Sequence, residues 1–371
     1  MKTAIINGRV FNGNCFLENQ VIVADDGKIV TVQNTIPERV NVIDLHGKNI
    51  SPGFIDIQIN GGEKYYFSQS PTQETLHDIC DASRQYGTTH VLPCLISSAH
   101  ENILNAIEAV KKFMADHKKG VMGMHLEGPF INPAKSGAHN KNYIRKPVTG
   151  ELEEIIRYGK DVIKVMTIAP EQFTPDQIEL LLESGIVLSA GHTAMHYEQA
   201  QFYFSKGIHL VTHLFNAMTQ LKHRDPGMVG AIFDNDNVYA PVILDGAHCD
   251  YAAARIAYKI KKDKLLLLSD AAFLGRKKKE FTSAMLDAKL IDGFYRNKEG
   301  NLAGAAISMV EAVQNAVNFV GIPLEEAIAM ATINVAKAIK MDHVLGKIEI
   351  GYPATFIQFD NSFSMIKTLI V

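Results

Sequence analysis

The chain has 371 residues, 47% hydrophobic and 21% charged, with a formal net charge of -3. That balance is ordinary for a soluble globular protein and gives no general attraction to nucleic acid or to a membrane surface. No apolar stretch is long enough to cross a bilayer, the first ten residues lack the apolar core of a signal peptide, and the scattered Cys15, Cys80, Cys94 and Cys249 form no C-x-x-C pair, so reduced, buried thiols in a cytoplasmic protein are expected.

Residues 1 to 50 alternate apolar and polar in short runs broken by Asn12-Gly13 and Asp25-Asp26-Gly27, which predicts antiparallel β-structure. Residues 345–351, 354–360 and 365–371 read the same way. The two ends are expected to build one small β-sandwich domain from residues 1–50 and 343–371. Between them, apolar runs at 54–60, 89–96, 121–128, 162–169, 186–192, 208–214, 238–245 and 265–271 alternate with helical patterns such as 101–117, 176–183, 305–320 and 324–340. Eight βα units predict a (β/α)8 TIM barrel over residues 51–342. Two stretches interrupt the repeat: a long connection at 214–237, and a strand-rich insertion at 272–303 with a turn at Asn297-Lys-Glu-Gly300.

The third run ends in Glu127, followed at once by Gly128 and Pro129; the fifth ends at His192 and the sixth holds His213. One carboxylate and two imidazoles make a plausible three-ligand set with room for a water, the pattern of a catalytic rather than a structural zinc site. Gln58 and Asn60 on the first strand, His248 just past the seventh and Asp270 on the eighth are the other polar strand ends. Barrel closure would bring all of them to one mouth. Asp270 closes the apolar run Leu265-Leu-Leu-Leu-Leu-Ser, where an ionised carboxylate is costly unless it has a partner or a task. Its functional reading is general base toward a metal-bound water.

The motif Pro52-Gly-Phe-Ile-Asp56-Ile-Gln58-Ile-Asn60-Gly61, with His125-Leu-Glu127-Gly-Pro, Gly191-His192-Thr193, Thr212-His213-Leu-Phe-Asn216-Ala217-Met218 and Ser269-Asp270-Ala271, resembles the N-acetylglucosamine-6-phosphate deacetylase family of the amidohydrolase superfamily. Matches continue in Gly137-Ala138-His139-Asn140, Ala169-Pro170-Glu171, Arg224-Asp-Pro-Gly227, Asp245-Gly246-x-His248 and Leu302-Ala303-Gly304, in the family's order. The resemblance implies hydrolysis of the acetamido group of N-acetylglucosamine 6-phosphate to glucosamine 6-phosphate and acetate. It implies one divalent metal ion per subunit on Glu127, His192 and His213, with zinc the first choice and Fe2+, Mn2+ or Co2+ able to take the same ligands. Asp270 would be the catalytic acid and base, and His139 would polarise the carbonyl. Substrate holding falls to Ala138, His139, Asn216, Ala217, His248, Leu302, Ala303 and Gly304. Arg224 would reach from a neighbouring subunit to grip the sugar phosphate, which implies a homodimer, although an arginine beside Asp225 also reads as a solvated loop charge.

The chain departs from the superfamily where most members carry His-x-His, for it has Gln58 and Asn60, and an amide is a poor metal ligand. These two residues are expected to line a one-metal site, and Lys164 is expected to be an ordinary strand lysine rather than a bridge between two metals. Ala305 stands where the family usually places Ser, and residues 272–279 differ from the family's usual loop. The same chemistry on N-acetylgalactosamine 6-phosphate stays open, as does a sugar-phosphate-binding protein that has kept the barrel. A cyclic amidase of the dihydroorotase type is disfavoured by Gln58 and Asn60.

Overall fold

The structure is a computed structural model that describes residues 2–117 and 120–371. Eight short strands arise where the apolar runs stand: Phe54–Ile59, Thr88–Ile96, Met124–Glu127, Ile163–Ile168, Val187–Ala190, Leu210–Val211, Ala240–Val242 and Leu265–Leu267. The first six pair in sequence order as one parallel sheet, a half-barrel. The seventh and eighth pair in parallel with each other. Isolated parallel bridges from Leu210 to Tyr239 and from Ile59 to Ala271 connect the two groups at both edges.

Parallel neighbours need crossovers, and helices supply them: Gln73–Gln85, His100–His117, Thr149–Gly159, Pro175–Glu183, Tyr197–Ser205 and Tyr251–Lys261 among them. Each turns an apolar stripe inward; Gln73–Gln85 buries Leu76, Ile79 and Cys80 behind a cap in which Thr72 accepts from the Thr75 N–H. One apolar cluster runs through strands and helices alike, joining Ile57, Leu92, Leu126, Met166, Leu188, Val211, Val242 and Leu267. At about 1.5–3 kcal/mol for each large side chain fully buried, this cluster is the main source of the stability that fixes the strand ends.

The chain ends pair with one another. Thr355–Phe359 lies antiparallel between Ile366–Ile370 and Asn49–Pro52, and Asn49–Pro52 in turn runs parallel to Arg9–Phe11. A second sheet joins Thr3–Ile6, Val21–Asp25, Lys28–Gln33 and Asn41–Asp44. Ile22, Ile50 and Phe356 meet in an apolar cluster separate from the large one. Only Gly53 separates Asn49–Pro52 from the first parallel strand, and a Cβ there would sit 2.1 Å from the Thr89 hydroxyl, so glycine is required by close approach.

Four expectations need correction. The helix expected over 305–320 begins at Met309, because Ala305 bridges to Ala271 in parallel and Ser308 caps the helix reciprocally with Glu311. The helix expected over 324–340 is two, Leu324–Met330 and Ile333–Ala338, because the Ala331 carbonyl turns aside to accept the Ile55 N–H at 2.9 Å. Residues 345–351 form turns rather than a strand, with the Ile348 N–H bonded to the Asn12 carbonyl. Cys15 is half-buried, while Cys80, Cys94 and Cys249 are buried and free. The insertion at 272–303 is a three-stranded antiparallel sheet of Glu280–Thr282, Asp287–Ile291 and Phe294–Arg296.

Pro175–Glu183 starts from a complete capping box, Thr174 Oγ1 accepting from the Gln177 N–H and Gln177 Oε1 from the Thr174 N–H. Replacing Thr174 with Ala is expected to cost about 1 kcal/mol, read as a lower denaturant midpoint; an unchanged midpoint would show that the cap contributes nothing.

Candidate active site

The parallel strands all end at one rim, and the polar strand ends meet there. His192, His213 and Asp270 have φ of 47°, 31° and 47°, the left-handed region that non-glycine residues rarely occupy. Such conformations persist only where the surroundings over-determine them, and they cluster at functional sites. Here each one bends the backbone just past its strand, so that the side chain projects into the rim.

Glu127, 3% exposed, points Oε1 at His192 Nε2 and His213 Nε2, both 3.2 Å away, and the two imidazole nitrogens are 3.1 Å apart. His192 Nδ1 lies 2.7 Å from the Lys135 carbonyl, an acceptor only, so Nδ1 carries the proton and Nε2 presents a lone pair. Burial pushes the Glu127 carboxyl up, but the polar surroundings of His139, His192 and His213 outweigh it and hold the carboxyl well below its usual range. An ionised oxygen and a neutral nitrogen lone pair facing each other at 3.2 Å repel unless a cation or a proton lies between them. The donor set therefore fits a divalent metal of the kind that takes nitrogen and oxygen ligands.

His139 is the fourth group at this point, its Nε2 3.8 Å from Glu127 Oε2. By proximity alone, Glu127, His139 and His192 also make a possible ligand group. The hydrogen bonds argue otherwise. The backbone N–H of Ser97 donates to His139 Nδ1 at 3.3 Å, so Nδ1 is the acceptor and the proton sits on Nε2. Burial first, and then the neighbouring His192, lower the His139 pKa to about 4, which keeps the ring neutral. His139 is thus built as an N–H donor facing the cavity, whereas His213 brings its Nε2 to 3.2 Å from Glu127 Oε1 and 3.1 Å from His192 Nε2 with its Nδ1 unpartnered.

Across the cavity Asp270 Oδ1 accepts from Asn60 Nδ2 at 2.9 Å and Gln58 Nε2 at 3.2 Å. Burial and the Glu127 charge push its pKa up to about 6, against the pull of His213, His248 and the Asn60 hydrogen bond. A carboxyl poised there can both take and return a proton near neutral pH.

The inner cavity, about 170 Å³, is lined by Asn60, Glu127, Ala138, His139, His192, His213, Asn216, Ala217, His248, Asp270, Leu302 and Gly304. It opens into a wider cleft of about 1010 Å³ that runs between Ser136–Lys141 and the 283–301 part of the insertion. His248 Nδ1 is held by Asp245 Oδ2 at 2.6 Å, leaving Nε2 toward the cavity. Gln58 is fully buried behind Asn60, and Ala303 is fully buried in an apolar cluster with Phe273 and Tyr295, its N–H bonded to the Tyr295 carbonyl. Arg224 is exposed in the Lys222–Asp225 turn and does not line the cavity. Lys164 donates to the Asp161 carbonyl at 2.9 Å, away from the metal-ligand candidates. Within residues 272–279, Arg276 and Lys277 are spent on ion pairs with Glu311 and Glu63.

Several participants carry no legible signal in the sequence. Tyr66, Ile96 and Leu286 supply the apolar wall of the cavity. Cys94 Sγ sits 3.4 Å from Glu127 Oε2, and Ser97 fixes the His139 ring. The Ser97-Ser98 pair closing an apolar run is the one cue that could have pointed to them.

The sequence profile of the amidohydrolase family matches residues 49–370. The chain is 35% identical over 376 residues to N-acetylglucosamine-6-phosphate deacetylase of Haemophilus influenzae, with 100% of this chain and 98% of that protein covered. It is 35% identical over 353 residues to N-acetylgalactosamine-6-phosphate deacetylase of a Shewanella species, with 93% and 88% covered. Among solved structures it is similar to N-acetylglucosamine-6-phosphate deacetylase from Pasteurella multocida, with a TM-score of 0.95, 34% identity and coverage of 100% of this chain and 98% of that one.

The His139 tautomer argues against its serving as a ligand. His192→Asn and His213→Asn are expected to lower bound metal well below the about one equivalent of a three-ligand site, whereas His139→Asn keeps it, as measured by elemental analysis of purified protein. Metal loss in His139→Asn with retention in His213→Asn would reverse the assignment.

Proposed function

The chain belongs to the amidohydrolase family, and on that basis we propose that it removes the acetyl group from N-acetyl-D-glucosamine 6-phosphate, releasing D-glucosamine 6-phosphate and acetate. The convergence of Glu127 Oε1 with the Nε2 atoms of two imidazoles opposite a carboxyl of raised pKa carries this reading. The parallel strands are read as a (β/α)8 barrel over 51–342, and the paired ends, 1–50 and 343–371, as a small β-sandwich domain. The protein acts in the cytoplasm, as a homodimer in which Arg224 reaches the neighbouring site and grips the phosphate; an exposed arginine outside its own cavity is what that arrangement needs.

Glu127, His192 and His213 hold one divalent ion, with zinc the first choice for two imidazoles and a carboxylate. When bound, it supplies Lewis acidity and brings the pKa of water at the site down to about 7. His139 Nε2–H donates to the acetamido oxygen as negative charge builds there. Water adds to the carbonyl carbon, Asp270 takes a proton from that water, and the same proton passes to the sugar nitrogen as the C–N bond breaks. Without it the nitrogen would leave as an amide anion, a very poor leaving group. Asn216, Ala217, Ala138, His248 and the Leu302 to Gly304 segment hold the sugar, which enters through the wide polar cleft.

Acetate release is expected from the gluco sugar in preference to its galacto epimer, and to stop with a chelator. Preference for the epimer would move the assignment to N-acetylgalactosamine 6-phosphate, and no turnover of either by metal-loaded protein would refute it. Asp270→Asn should lower kcat by about 10²–10⁴ with metal retained; near-normal turnover would remove Asp270 from the chemistry.

Since Asp270 must be ionised to act as base, kcat/KM should fall as pH drops through its pKa. Asn60 donates to the ionised form and so holds that pKa down. Asn60→Ala is therefore expected to move the acid limb to higher pH, and a shift downward would contradict the assignment.

A further inference from the structure

Asp56 is the ionisable residue of the first strand that takes no part in the mechanism above, yet it is 1% exposed. A buried carboxylate costs several kcal/mol unless its oxygens are well bonded, so where its hydrogen bonds go indicates what it does. Oδ2 accepts the Ser269 hydroxyl at 2.5 Å, and Oδ1 accepts the Ser269 N–H at 3.3 Å and the Gln58 N–H at 3.2 Å. Two of the three come from the residue immediately before Asp270, and the third from the residue whose amide donates to Asp270 Oδ1.

Ser269, fully buried, completes the arrangement. Its hydroxyl oxygen accepts the Ala271 N–H at 3.1 Å, so one side chain ties down the residues on both sides of Asp270. The Asp270 N–H itself donates to the Gln58 carbonyl at 2.9 Å, and its own carbonyl accepts the Ala305 N–H at 2.8 Å. Asp270 holds φ 47°, a conformation its neighbours must impose. Backbone bonds from the Asp270 N–H to Gln58 and from the Asn60 N–H to Ala271 join the first and last strands at the rim, and the Asp56–Ser269 contacts add to them one residue before Asp270.

We propose that Asp56 and Ser269 are positioning residues for the reaction: the pair pins the backbone on either side of Asp270 and so aims its carboxylate at the attacking water. Neither side chain lines the cavity; they act through Asp270 and Gln58. An apolar pair could fill the same volume, but only a carboxylate can gather the Ser269 N–H, its hydroxyl and the Gln58 N–H at once. The proposal rests on Asp270 being the catalytic base.

The test compares Ser269→Ala, Asp56→Asn and the conservative Ser269→Thr in the metal-loaded full chain, with kcat, KM, metal content and the crystal structure of each. For Ser269→Ala and Asp56→Asn, kcat is expected to fall roughly 10- to 100-fold, the loss that follows misplacement of a reacting group by about 1 Å. KM should stay within about two-fold and metal content should not change, and Ser269→Thr, which keeps the hydroxyl, should recover most of the rate. A residue that only closes the fold would lower stability and leave kcat of the folded enzyme alone. Folded Ser269→Ala with parental kcat overturns the proposal, and so does insoluble Asp56→Asn beside a fully active Ser269→Ala. If the parent itself releases no acetate, the substrate assignment fails on its own; the crystal structures still decide this point, because an Asp270 carboxylate superposable on the parent's in both variants refutes the positioning role.

Discussion

Parallel pairing of consecutive strands is the constraint on which the site depends. In a parallel sheet every strand runs the same way, so each carboxyl-terminal end reaches the same rim, and residues far apart in sequence are brought within hydrogen-bonding distance. Glu127 and His213 are 86 positions apart and 3.2 Å apart in space. The Asp270 carboxylate meets the Asn60 amide across 210 positions. The large apolar cluster holds these strands in register, so the geometry of the rim is paid for by burial far below it.

Within that rim, hydrogen bonds made by the far side of each ring decide what each functional atom can do. His192 and His139 are the same residue type, a few ångströms from the same carboxylate. One gives its Nδ1 proton to a carbonyl and turns a lone pair toward Glu127; the other accepts a backbone N–H at Nδ1 and turns a proton toward the cavity. Deeper in the strands a buried polar layer links His125, Thr167, Thr212 and Ser189 through contacts of 2.6–2.7 Å. Those bonds satisfy polar groups that would otherwise be costly so far inside the protein.

Additions to the repeating architecture shape access. The three-stranded insertion reaches back over the rim, where Leu286 enters the cavity wall and the Ala284 carbonyl accepts from Asn140 Nδ2 at 2.8 Å. The wide cleft between the insertion and the 136–141 loop therefore exists only because two segments outside the strands meet. The paired chain ends enclose an apolar cluster of their own, while Phe11, Ile357 and Phe359 join the large one.

The sequence by itself determined the eight apolar runs and the polar residue at the end of six of them, because strand burial on both faces leaves a nearly continuous apolar record and a functional group breaks it at one position. Glu127, His192, His213 and Asp270 are visible for that reason. It also carried the helical pattern at 176–183, where the helix Pro175–Glu183 stands, a local signal that depends on neighbours only a few positions away. Tertiary structure alone decided the tautomers of His139 and His192, because the groups that set them, the Ser97 N–H and the Lys135 carbonyl, are backbone atoms with no side-chain signature. It alone broke the helical pattern at Ala331, where a bond to Ile55 from the other end of the chain outweighs local propensity. It alone drew Asp56 and Ser269 together across 213 positions, since two ordinary polar residues in apolar runs say nothing of each other until the first and last strands are side by side.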